Sequence, residues 1–310
     1  MTVNETDGPA EHGFEEHRAH LRSVAYRMLG SLSEADDAVQ ETWLRLNRSG
    51  AGDVRDLRAW LTTVVSRVCL DMLRSRASRR EDYLDSGVHV PDPIVTPAGE
   101  DPADQAVLAD SVGLALLVVL DTLSPAERLA FVLHDVFAVP FEDIGGILDR
   151  SPAAAKQLAS RARQRLRAAP ARDPLAASAP GGPAASAELA RQWTVVDAFL
   201  AAAREGDFGR LLTILDPDVV LRGDAGNGPL GPSHLVRGVR EVIAEAQRYA
   251  PLGRFAQPVL VNGGPGLLVA RQGQPIALMA VTVRGDLIAE IDILADPDRL
   301  ARLDLTAVLS

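Results

Sequence analysis

Residues 151–167 read SPAAAKQLASRARQRLR and hold the side chains with the plainest chemistry in the chain. From Arg150 to Arg167 there are six basic residues and no acid, although the whole sequence carries a formal net charge of −10. Ser151 and Pro152 open a helix here, because a hydroxyl caps orphan backbone N–H groups and proline fits the first turn. Helical spacing puts Ala155, Leu158, Ala159, Ala162 and Leu166 on one apolar stripe and leaves Lys156, Gln157, Ser160, Arg161, Arg163, Gln164 and Arg167 outside it. Those types match a nucleic-acid duplex. Arginine and lysine suit phosphates and guanine edges, glutamine suits adenine edges, and serine suits either. An aspartate among them would face a phosphate and weaken binding, which gives the missing acids a physical reason.

Such a helix must be held at a fixed angle, and the preceding residues supply the holder. Ser124, Pro125 and Glu127 give an N-cap, a first-turn proline and a capping-box acid, starting a helix that runs to about Phe137. PFEDIGGILDR then gives a short helix near 141–148 with two glycines inside it. Helix, short helix and basic helix in that order form a helix-turn-helix.

A second basic patch lies upstream. Seven arginines fall between Arg55 and Arg80, against only Asp56 and Asp71. Arg58, Arg67, Arg74 and Arg76 belong to a helix spanning about Leu57 to Arg76, whose apolar positions Leu57, Trp60, Leu61, Val64, Val65, Val68 and Met72 leave Thr62, Thr63, Ser66, Arg67, Asp71 and Arg74 outward. Before it, Ser33 reads as the N-cap of a helix with Ala35, Ala38, Val39, Thr42, Trp43 and Leu46 on one stripe.

At 310 residues, with 47% hydrophobic and 24% charged residues, the chain has material for two or three globular domains. Cys69 is its single cysteine, so no disulfide forms within the chain and no cysteine cluster holds a metal. The N-terminal stretch is too polar and acidic for a secretory signal, and the apolar run 112–120 is too short to span a bilayer. These features predict a soluble cytoplasmic protein without a membrane partner, metal or cofactor. Two segments read as linkers: residues 83–102, acidic and rich in Pro and Gly, and residues 170–186, rich in Ala, Pro, Gly and Ser. They divide the chain into 10–82, 103–169 and 187–303.

The third block changes period. Residues 188–204 and 234–249 read as helices. From 255 onward four alternating runs punctuated by Gly and Asn read as an antiparallel meander, hence an α+β domain with helices on one face of the sheet. His234 is its one histidine, in a Gly/Pro loop, with Asp197, Asp224 and Asp292 as candidate acids.

Residues 14–82 resemble region 2 of the extracytoplasmic-function (ECF) sigma factors, on the strings YRMLGSLSEADDAVQETWLRL and LRAWLTTVVSRVCLDMLRSR. Residues 120–167 resemble region 4 of the same family, and 187–303 resemble SnoaL-like domains of the cystatin-like (NTF2-like) fold. The resemblance implies two all-α domains followed by an α+β domain. It also implies a non-enzymatic protein that binds core RNA polymerase and promoter DNA and recognises the −10 and −35 elements. It places Asp36, Asp37, Gln40, Glu41, Trp43 and Arg45 against the clamp helices of the polymerase. Arg67, Arg74, Arg76, Arg79 and Arg80 fall at the −10 element, and Lys156, Gln157, Ser160, Arg161, Arg163, Gln164 and Arg167 at the −35 element.

A subgroup carrying the SnoaL-like domain uses it to modulate sigma activity. Its D-G-G-G stretch corresponds here to Asp224, Ala225, Gly226 and Asn227, and its N-P-D-K-L motif to Asp296, Pro297, Asp298, Arg299 and Leu300, a regulatory interdomain set. The Trp that precedes L-P-E-P in the subgroup's linker is absent; this chain has VHVPDP. A small-molecule ligand in the cone of the third domain is a further expectation. Two other readings make different demands: a ligand-responsive helix-turn-helix regulator would bind DNA without the polymerase core, and a fused SnoaL-type enzyme would turn over a substrate.

Overall fold

The computed structural model describes residues 9–49, 56–81, 88–98, 113–168, 183–226, 228 and 230–309. The chain forms two compact units, one from residues 1–85 and 120–166 and the other from 86–119 and 167–310.

The first unit is helical. Helices α1 (Pro9–Leu29), α2 (Leu32–Ser49) and α3 (Leu57–Glu81) pack around Phe14, Leu21, Ala25, Leu46, Leu61 and Val65, all buried. Gly30 ends α1 in the left-handed region at φ 69°, and Ser31 caps α2, its Oγ accepting from the Glu34 N–H at 3.5 Å. The cap is therefore Ser31 and not Ser33, since the glycine turns the chain two residues earlier than the polar pattern suggests. The α2 stripe is as expected. Thr62 and Ser66 of α3, expected outward, are buried, because α3 packs both on α1 and α2 and on the helices of the 120–166 segment. The Thr62 hydroxyl donates to the Arg58 carbonyl and lies 3.2 Å from His20 Nε2, while the His20 ring stands edge-on to Phe137. Burial pushes the His20 imidazole down to about 4, and nearby Arg58 adds to the shift.

After the short helix α4 (Leu114–Leu120) come α5 (Pro125–Phe131), extended by a wider π turn over Val132–Val136, then α6 (Phe141–Leu148) and α7 (Pro152–Ala168). The capping box at Ser124 and Glu127 is formed, and Asp149 closes α6 at φ 54°. Gly145 makes the turn between α6 and α7 close, since a Cβ there would lie 2.8 Å from the Arg150 carbonyl oxygen; at Gly146 a Cβ meets nothing within 4 Å.

The second unit wraps helices α8 (Pro183–Glu205), α9 (Phe208–Ile214) and α10 (Val239–Tyr249) on a seven-stranded sheet. Its strands are β1 (Val95–Pro97), β2 (Leu215–Asp224), β3 (His234–Arg237), β4 (Ala256–Val261), β5 (Gly264–Arg271), β6 (Gln274–Arg284) and β7 (Leu287–Leu294), in the order β1-β4-β5-β6-β7-β2-β3. One-turn helices α11 (Pro297–Leu300) and α12 (Thr306–Leu309) follow. The four expected strands are present as a meander, β4 to β7. Three strands depart from the sequence reading. Residues 234–237 form strand β3 rather than the start of a helix, β2 pairs parallel with β7, and residues 95–97, expected as linker, form β1 antiparallel to β4. Pro97 fits there because β1 is an edge strand, where a missing N–H leaves no ladder bond unmade.

Two outcomes are expected for the helical unit. Gly145→Ala lowers its stability by about 1–3 kcal/mol through overpacking, whereas Gly146→Ala is neutral or slightly stabilising, as chemical denaturation will read. His20 stays neutral in the folded chain down to about pH 4 but takes a proton near pH 6.5 when unfolded, so unfolding binds a proton between those values. Stability accordingly falls as pH drops through that window, and His20→Gln flattens the fall in melts recorded from pH 7 to pH 4.

Candidate nucleic-acid interface

On α7 the apolar stripe Ala155, Leu158, Ala159, Ala162 and Leu166 is buried, and Lys156, Gln157, Ser160, Arg161, Gln164 and Arg167 are exposed. Ser151 Oγ accepts from the Ala154 N–H at 3.3 Å, setting the first turn. Rows 156/160/167 and 157/161/164 lie side by side at i, i+3 and i+4 spacing, forming a continuous acid-free face.

Arg163 differs from its neighbours. Its type and spacing predict a place on this face, but its Nη1 lies 2.8 Å from Asp135 Oδ1 and the side chain is half-buried. Arg165 likewise reaches Glu127 Oε2 at 2.7 Å. The structure uses both arginines to fasten α7 to α5 and its π turn. Residue 163 lies at the edge of the stripe, where a long side chain folds back over the preceding helix.

The arginines of α3 also separate. Arg74 is exposed, its guanidinium 3.9 Å from Asp71. Arg67 is exposed and donates to the Gly146 carbonyl at 3.0 Å. Arg76, expected at a phosphate, is instead ion-paired with Glu34 and donates to the Leu29 carbonyl at 3.1 Å, because it sits where α3 crosses the α1–α2 turn. Arg79 and Arg80 lie on the last turn of α3, and their side chains are outside the described residues.

On α2, Asp37 and Gln40 are exposed. Asp36 is ion-paired with Arg22 at 2.6 Å, and Glu41 with Arg45 at 2.9 Å. Trp43 is half-buried with its ring 5.0 Å from Phe14, so it packs the bundle while presenting one edge. The exposed row includes Leu44, which the sequence reading passed over. Its signal was available: a leucine off the apolar stripe, between two polar rows, is a contact a partner can cover.

Residues 14–79 match the sigma-70 region 2 family and residues 113–166 the sigma-70 region 4 family. The ECF RNA polymerase sigma factor SigJ of Mycobacterium tuberculosis is 41% identical over 300 residues, spanning 92% of this chain and 91% of that protein. The chain belongs to the ECF sigma factors. Its activity is promoter-directed initiation of transcription by RNA polymerase. The probable ECF sigma factor SigI of the same species is similar as well, at 34% identity over 301 residues, 94% of this chain and 95% of that one. The crystal structure of SigJ superposes with a TM-score of 0.72 at 36% identity, covering 95% of this chain and 99% of that one.

In this sigma factor Asp224 and Arg299, of the set expected to be regulatory, meet at the connector between the two helical regions. Asp224 Oδ2 accepts from the Val90 N–H at 2.9 Å and from Arg299 Nη1 at 2.7 Å, and lies 3.5 Å from His89 Nδ1. Arg299 also donates to the Val90 carbonyl at 2.6 Å and, through Nε, to Asp92 at 3.1 Å. Burial opposes ionisation of Asp224. The hydrogen bonds from His89 and the Val90 N–H and the Arg299 charge outweigh it and hold the carboxyl below its ordinary range. Asp296 caps α11 by accepting from the Asp298 and Arg299 N–H groups. Pro297 occupies its first turn and Leu300 is buried beneath it, so the motif is a one-turn mount that aims Arg299. Pro297 and Asp298 themselves are exposed, and Asn227 lies outside the described residues.

The ion pair at α7 has a testable consequence. Arg163→Ala lowers the stability of the helical unit by about 1 kcal/mol, since the half-buried Asp135 loses its partner. Gln157→Ala leaves thermal stability unchanged, and melting curves of the two variants will separate the fastening residue from the exposed one.

Proposed function

We propose that α7 reads the −35 promoter element through Lys156, Gln157, Ser160, Arg161, Gln164 and Arg167. The observation that carries this reading is the acid-free exposed face of α7 in a chain of net charge −10. Arg74, with Arg67, Arg79 and Arg80, contacts the phosphates of the −10 element. Arg76 shapes the α1–α2 turn instead. The exposed row of α2, with Asp37, Gln40 and Leu44 at its centre and Asp36, Glu41, Trp43 and Arg45 around it, docks on core RNA polymerase.

The C-terminal domain is a regulatory module, not an enzyme. Its Asp224–Arg299 clamp grips residues 88–92 and so governs how much connector is available when the two helical regions engage polymerase and promoter. Core polymerase and promoter DNA are thus the working partners, in the cytoplasm, and a small molecule in the C-terminal domain is a third.

The test is promoter-dependent transcription with purified core polymerase, comparing the full chain with Gln157→Ala, Arg161→Ala and Arg299→Ala. Each substitution on α7 should lower discrimination against altered −35 base pairs by about 1–3 kcal/mol, roughly 5- to 150-fold. Arg299→Ala should change the rate of initiation and leave promoter choice intact. Equal promoter selectivity of the full chain with and without core polymerase would sink the assignment.

A further inference from the structure

Strands β4 and β5 are joined by the two-residue turn Asn262–Gly263, with φ of 50° and 76°. Positive φ at both positions is the type I′ arrangement, which an asparagine–glycine pair favours because it matches the twist of the flanking strands. The sequence reads Asn262 as punctuation between strands and nothing more. Yet this turn residue is buried, and what it meets is the connector.

Backbone and side chain of Asn262 divide the contact. Its N–H donates to the Ile94 carbonyl at 2.8 Å, and its Oδ1 accepts from the Ile94 N–H at 3.0 Å. Val95 stands opposite Val261 in the antiparallel pairing of β1 with β4, which puts Ile94 opposite Asn262. Facing residues of a hydrogen-bonded pair normally exchange both bonds between backbones. Here the second bond goes to the side-chain oxygen, since the chain at Asn262 is already turning toward β5. Ile94 is buried too, and a buried N–H without a partner is costly.

The same bond specifies register. β1 spans only Val95–Pro97, and alternation puts the next hydrogen-bonded pair at Thr96 and Leu260. Pro97 has no N–H to add. Asn262 thus makes both bonds of one of two such pairs. A slip by one residue would turn Val95 and Thr96 to the opposite faces. A slip by two would carry Val90 and Asp92 about 7 Å from Asp224 and Arg299.

We infer that Asn262 is a positioning residue for the connector. Its side chain sets the register in which residues 94–97 dock on β4, and so keeps Val90 and Asp92 at the clamp. The inference rests on the reading of that clamp as regulatory and adds the residue that fixes where the connector is gripped. Both bonds go to the backbone of Ile94, so the grip recognises an extended chain and not the isoleucine side chain.

The experiment is residue-resolved amide hydrogen exchange on the full chain, unaltered and as Asn262→Gly and Asn262→Asp. Glycine and aspartate both suit the turn, but only aspartate keeps an acceptor. In the unaltered chain the Ile94 amide should be protected like that of Thr96. Asn262→Gly should speed exchange at Ile94 and Thr96 by about tenfold, the worth of one buried hydrogen bond. Asn262→Asp should retain most of the protection, and Leu268 and Leu278 in β5 and β6 should keep their rates in all three chains. An Ile94 amide that exchanges like a solvated one in the unaltered chain would overturn the inference, and this reading needs no variant to fold. Equal rates in the unaltered and glycine chains, or in the glycine and aspartate chains, would overturn it as well. Transcription with core polymerase tests the other reading separately, since Asn262→Gly should shift the initiation rate in the same direction as Arg299→Ala. Faster exchange without that shift leaves the grip of Asn262 in place and sinks the regulatory role of the clamp.

Discussion

The Glu127 carboxylate is buried, completes the capping box of α5 and receives the Arg165 guanidinium of α7 at 2.7 Å. One carboxylate thereby fixes where α5 begins and how α7 lies against it. Arg163 and Asp135 repeat the arrangement one turn away, and Arg128 and Asp121 do so at the start of the segment. Acids are present around α7, but they point inward at arginines and not outward beside Gln157 or Arg161. Charge is sorted by direction, so a basic reading surface exists within an acidic chain. The close Gly145 turn matters for the same reason, since a wider turn would shift both ion pairs together.

Much of this was legible in the sequence because the signals are local. The Ser124–Glu127 box, the Ser151–Pro152 start and the stripe from Ala155 to Leu166 depend on neighbours within a turn or two, and all are present. The fates of individual arginines were not legible. Arg76 and Arg163 have the same type and local context as Arg74 and Arg161, and what separates them is whether a carboxylate from a distant segment lies within reach. Thr62 and Ser66 misled for a related reason, as a helix packed on two sides buries polar residues that a one-stripe pattern assigns to water.

The C-terminal domain shows the same division. Its four meander strands follow from alternation and turn residues, whereas β1, β3 and the parallel pairing of β2 with β7 depend on partners far along the chain. Asp224 and Arg299 were singled out by motif. Their physical task, gripping backbone and side chain of residues 88–92, became visible only with the connector in place.

Residues 82–113 join α3 to α4, and 88–97 of these are fastened to the sheet by the clamp and by β1. Fully extended, the whole connector would reach roughly 110 Å, and the fastened part accounts for about a third of that contour. On the proposed reading, holding those residues against the sheet leaves less chain to span between the two helical regions. A tether's slack determines the effective concentration of one module near the other's site. On that reading a sheet edge and a single arginine change how strongly the two helical regions cooperate and leave the affinity of each unchanged.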